Sequence, residues 1–106
     1  MSFSPASMWA SKLQALKAYG GSCVCCGETE PVFLSFDHIG GGGNEHRRKD
    51  YVARKNIGLW LLRHGYPRDF QILCFNCHKA KDAGPSHLQG LCPHELRRNG
   101  IMPNYE

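Results

Sequence analysis

Long apolar runs are missing from this sequence, and nothing in it approaches the roughly 20 residues needed to span a bilayer. The N-terminus, MSFSPASMWASKLQ, also lacks a basic region followed by an apolar stretch. A cytoplasmic protein without a membrane partner is therefore expected (in the host cytoplasm, if phage-encoded). Charge of one sign is in short supply. Thirteen Lys/Arg against nine Asp/Glu leave +4, a lean compatible with a polyanion partner but too small to prove one. No internal repeat occurs beyond two short cysteine motifs, and no low-complexity segment beyond Gly40 to Gly43. With 106 residues, 42% of them apolar, a single folded domain (1–106) is expected and wholesale disorder is not.

Cysteine is plentiful by contrast: there are six. In a reducing compartment such cysteines are more often metal ligands than disulfides. Cys23 and Cys26 form one C-x-x-C, Cys74 and Cys77 another. A disulfide framework has no reason to repeat a two-residue gap, whereas two thiolates gripping one tetrahedral zinc do. A structural zinc on these four sulfurs, worth on the order of 10 kcal/mol in apparent binding, would support a modest core. Cys92-Pro93-His94 offers two ligands to a second metal, with Cys25, His87 or His46 as completions. The preferred reading is instead that this pair packs the tail against the body and that Cys25 is a spare thiol.

Ser4-Pro5 predicts a helix start, Trp9, Leu13 and Leu16 an apolar stripe, and Gly20-Gly21 its stop. Trp9 and Trp60 are both expected in the core. Pro31 to Ile39 reads as a strand, and the glycine run as a flexible loop after it. A basic helix is predicted at about 46–64, carrying Arg47, Arg48, Lys49, Arg54, Lys55 and Arg63, although Gly58 counts against it. A second strand (Phe70 to Leu73), a helix (Phe75 to about Asp82) and one helical turn near Glu95 to Arg98 follow. The chain thus divides into an N-terminal helix (1–21), a core (22–82) and a tail (83–106). Its expected fold class is small α+β with a treble-clef-like zinc site and a helical insertion between two strands.

Asp37-His38 closes the first strand, and His78 directly follows Cys77. The order C-x-x-C, a strand ending in Asp-His, then FQILCFNCHKAK resembles the zinc-stabilised HNH endonucleases, or ββα-metal nucleases, of phages and mobile elements. The resemblance covers about Cys23 to Asp82. It implies a ββα-metal fold, metal-dependent hydrolysis of DNA, and action as a monomer or homodimer. His38 matches the general base, and Asp37 and His78 match ligands of a catalytic Mg²⁺, Mn²⁺ or similar ion. Asp82, one turn beyond His78, stands where some members place a further ligand. A neutral imidazole can accept a water's proton, and a carboxylate plus a histidine suits one hard cation. One position departs: the family's asparagine that steadies the base is here Asp69, which accepts hydrogen bonds but cannot donate like an amide. Asn44 and Asn56 are the fallbacks. Arg47, Arg48 and Lys49 are expected to track the DNA backbone, with Lys79 and Lys81 as phosphate contacts beside the metal. The alternatives are a non-catalytic zinc-finger module that binds nucleic acid and a zinc-stabilised protein-interaction module.

Overall fold

A computed structural model describes residues 3–83 and 92–101, with Asp82 and Ala83 described in backbone only. Helix α1 (Pro5–Ala18) begins where Ser4 accepts the Ser7 amide at 3.2 Å. It ends where the Gly21 amide reaches back to the Leu16 carbonyl across two glycines of positive φ. Strand β1 is shorter than its sequence suggests, Leu34–His38, because Pro31–Phe33 winds into a 3₁₀ turn. Proline, with φ fixed and no amide hydrogen, suits the start of that turn better than a ladder.

The single basic helix expected at 46–64 is instead three: α2 (Gly43–Lys49), α3 (Tyr51–Lys55) and α4 (Ile57–Arg63). The breaks fall at Asp50 and Asn56, whose side chains cap the next helix rather than continue the previous one. Asp50 accepts from the Val52 and Ala53 amides, and Asn56 accepts from Leu59. The glycine run is not an open loop throughout, since Gly43 is the first residue of α2.

Strand β2 (Phe70–Cys74) pairs antiparallel with β1, setting Leu34 opposite Cys74, Asp37 opposite Gln71 and His38 opposite Phe70. It runs directly into α5 (Phe75–Ala83), which packs on both strands. After residues outside the description, α6 (Pro93–Arg98) follows. The molecule is a small α+β fold around Leu16, Leu34, Leu61 and Ile72. Helix α4 lies against α1 so closely that a Cβ on Gly58 would stand 2.7 Å from the Ser11 carbonyl. That approach explains a glycine inside a helix. Trp60 is part-buried against the core as expected, but Trp9 is 41% exposed, contrary to the sequence reading. Its position in the first half of α1 puts it beside a groove instead of inside. Among the described residues no helix is long and apolar enough to cross a membrane.

Candidate functional site

The two-stranded sheet carries a cysteine cluster at one end and a polar cleft at the other. Four residue steps along β1 separate them, roughly 13 Å at strand rise.

At the cluster end, the tight turn after α1 presents Cys23 and Cys26. Gly27 takes a positive φ there, donating to the Cys23 carbonyl at 2.9 Å. Cys74 ends β2 and Cys77 lies in the first turn of α5. The ligand atoms of Cys23, Cys26, Cys74 and Cys77 all lie within 4.8 Å of one another, with Cys26 and Cys74 sulfurs 3.6 Å apart. A tetrahedron of Zn–S bonds demands sulfur edges of about 3.8 Å, so the four fit one such ion. The Cys26 amide points at Cys23 Sγ (3.5 Å) and the Cys77 amide at Cys74 Sγ (3.4 Å), donors that favour thiolate. Burial pushes the Cys23 thiol up, but the backbone amides of Cys26, Cys74 and Cys25 outweigh it and hold the thiol down at about 7. Without a cation, burial and the surrounding sulfurs push the Cys77 thiol far upward. The cluster is thus suited to a structural metal ion.

Cys25, Cys92 and His94 come together in the fold. Together with Cys77 they form a second group whose ligand atoms also lie within 4.8 Å of one another. Cys25 and the Cys-Pro-His motif thus lie at distances that could hold a metal ion. His87 falls outside the described residues, and His46 lies elsewhere.

At the far end, Asp37, His38 and His78 line one cleft of about 180 Å³, together with Gly41 to Asn44 and Arg47. Asp37 is 3% exposed. Its Oδ2 accepts from Lys81 Nζ (2.5 Å) and from Gln71 Nε2 (2.9 Å), its cross-strand partner. Its Oδ1 faces His78 Nε2 at 3.5 Å. Ser35, two residues before Asp37 and so on the same strand face, fixes the ring. Its hydroxyl donates to the Leu73 carbonyl (2.8 Å), so its oxygen accepts the His78 Nδ1 proton (2.7 Å). The ring is thereby oriented with Nε2 toward the Asp37 carboxylate. The two atoms are close enough to share a proton or a cation.

His38 Nε2 bonds His46 Nδ1 at 2.8 Å, the rings of His46 and Phe70 flank it, and Trp60 packs behind both of those rings. Its other nitrogen, Nδ1, stands 3.0 Å from where a Cβ on Gly43 would lie, beside the cleft. Burial first, then the charges of His46 and Arg47, lower the His38 pKa below its usual 6.5. The neutral form of the imidazole is thereby favoured.

Several assigned roles change on these contacts. Asp69 is exposed; its backbone carbonyl takes the Ile39 amide, while the hydrogen-bond partner of His38 is His46. Asn56 caps α4, and Asn44 accepts from Arg47 (2.6 Å), so neither steadies His38. Lys81 is committed to Asp37 and to the carbonyls of His38 and Ile39, which makes it an anchor for β1 rather than an outward phosphate contact. Arg48 and Lys49 pair with Glu45 on the exposed face of α2, whereas Arg47 lines the cleft. The side chain of Asp82 lies outside the described residues. His46, Ser35 and Gln71 were missed by the sequence reading. A polar residue alternating with Asp37 on β1 is a usable signal for Ser35, but nothing local points from His46 to His38.

A groove of about 1040 Å³ adjoins the cleft and shares His38, Asn44, Arg47 and His78 with it. Lys12, Arg54, Lys55 and Lys79 supply positive charge along its walls, and Trp9 and Phe75 supply aromatic rings. Lys12 Nζ sits 5.6 Å from the Trp9 ring centroid and 5.7 Å from that of Phe75. Compared with known proteins, the chain matches no family model, no curated protein and no solved structure.

Proposed function

We propose that this chain is a metal-dependent endonuclease of the HNH type that hydrolyses DNA phosphodiester bonds. One observation carries the reading: a carboxylate and two imidazoles from β1 and α5 line a single cleft opening beside a basic groove. The sheet followed directly by α5 is compatible with a ββα-metal fold. The cysteines at its other end are compatible with structural zinc.

His38 is the general base. In the tautomer whose Nε2–H donates a hydrogen bond to His46, Nδ1 is the acceptor beside the cleft. Water loses its proton to Nδ1 as its oxygen bonds to phosphorus, the opposite P–O bond breaks, and the departing oxygen takes a proton from solvent. Asp37 Oδ1 and His78 Nε2 are the ligands for a divalent cation such as Mg²⁺ or Mn²⁺. When bound, such an ion relieves charge on the phosphate and assists the leaving oxygen. Lys81 and Gln71 occupy Asp37 Oδ2 and so aim Oδ1 at that position. Arg47 and Lys79, with Lys12, Arg54 and Lys55 along the groove, provide the sequence-independent attraction to the backbone.

The test is incubation of supercoiled plasmid with zinc-loaded protein and Mg²⁺ or Mn²⁺. Nicked or linear product is expected, and double-strand breaks would require a dimer or two binding events. Salt-dependent DNA binding without cutting in any divalent metal would instead establish a non-catalytic nucleic-acid-binding module. The engagement of Asp37 Oδ2 by Lys81 is the contact that favours this second reading.

A further inference from the structure

Cys77 belongs to both groups of ligand atoms, which makes the cysteine cluster larger than one zinc requires. The first group takes Cys23, Cys26 and Cys74, and the second takes Cys25, Cys92 and His94. In the second, His94 Nδ1 lies 3.3 Å from Cys77 Sγ and 3.3 Å from Cys92 Sγ, and the two sulfurs are 3.6 Å apart. Ideal tetrahedral zinc places ligand sulfurs about 3.8 Å from each other and about 3.5 Å from a ligand imidazole nitrogen. We infer that the protein binds two zinc ions bridged by the Cys77 thiolate, the second completed by Cys25, Cys92 and His94.

Two further observations point the same way. Six thiolates around two zinc ions leave net negative charge, and Arg98 meets it: its guanidinium donates to the Cys25 carbonyl and approaches Cys25 Sγ at 3.8 Å. Helix α6 also needs a reason to stay in place. Six residues are too few for a helix to be stable alone, and its buried Leu96 lies outside the main core cluster. Cys92, buried within that cluster, His94 and Arg98 tie it to the knuckle through the proposed ion. The second zinc is thus a clip that closes the C-terminal segment onto the Cys23 turn. It is independent of the nuclease reading, because the metal count is made without DNA.

Native mass spectrometry of the full chain, purified without chelators and equilibrated with excess zinc, is the direct test. Two zinc ions per chain are expected, falling to one in the Cys92→Ser/His94→Ala double variant, which retains the four C-x-x-C sulfurs. A single zinc in the wild-type chain overturns the inference. If the double variant does not fold, ¹¹³Cd NMR of cadmium-substituted wild type decides the bridge. Two resonances split by through-bond coupling support a shared thiolate, and two unsplit resonances, or one alone, refute it.

Discussion

His38 owes its proposed chemistry to its neighbours more than to its identity. A histidine on an exposed turn titrates near 6.5, whereas here burial first, and then the electrostatic influence of His46 and Arg47, move it lower. A cation on Asp37 pushes the same way. Because the charged form is disfavoured in the fold, His38 contributes stability that is present above pH 6.5 and lost as pH falls toward its folded pKa. The acid limb of the cleavage rate is therefore expected below pH 6.5. NMR titration of the His38 ring in metal-free protein checks the shift, and a midpoint above 6.5 would contradict it. His46 is a positioning residue by the same geometry. His46→Ala should lower kcat about 10- to 100-fold with little change in KM, whereas His46→Asn, whose amide oxygen can still accept from Nε2, should recover part of the loss. Equal rates in all three proteins would remove His46 from that role. Little of this was visible in the sequence. The Asp37-His38 and Cys77-His78 neighbours stood out as pairs, but the loop that returns His46 to the ring of His38 is a tertiary closure. Family analogy had pointed to Asp69 instead.

At the scale of elements, local rules identified the starts and stops and missed how often the chain would be re-capped. Ser4-Pro5, Gly20-Gly21 and the run Phe70 to Cys74 behaved as their residue types suggest. Asp50 and Asn56 did not, because an apolar stripe spaced for one long helix also serves three short ones that turn around the same core. Asp50 holds two amides and the Trp60 indole (2.8 Å) at once. Asp50→Ala should cost about 1–2 kcal/mol for the cap, measured by urea denaturation, with altered Trp60 fluorescence. Gly58→Ala is the opposite kind of change: it improves helix propensity yet forces a methyl into the α1 backbone. Overpacking of that kind costs about 1–3 kcal/mol, so the variant should melt lower than wild type. A higher melting temperature would mean that α1 and α4 can move apart freely.

For the molecule as a whole, the sheet works as a short beam between a metal-suited cluster and a polar cleft. Cys77 and His78 are adjacent on α5, so disturbing the cluster should be felt at the cleft. Chelation of zinc, or Cys74→Ser, is expected to abolish the cooperative thermal transition, since metal binding and folding are coupled in so small a core. A native-like melt after complete zinc removal would show that the apolar core suffices. The paired C-x-x-C motifs announced this end of the molecule because two-residue gaps are local. The approach of Cys92 and His94 to Cys25 and Cys77 is a tertiary closure, which spacing alone does not encode.

The most direct measurement is single-turnover cleavage of a DNA duplex under saturating Mn²⁺ or Mg²⁺, comparing wild type with a zinc-loaded, folded His38→Ala variant. Removal of a general base should slow the chemical step by about 10²- to 10⁴-fold while DNA affinity stays close to wild type. Equal rates in the two proteins would contradict hydrolysis by the Asp37, His38 and His78 cleft.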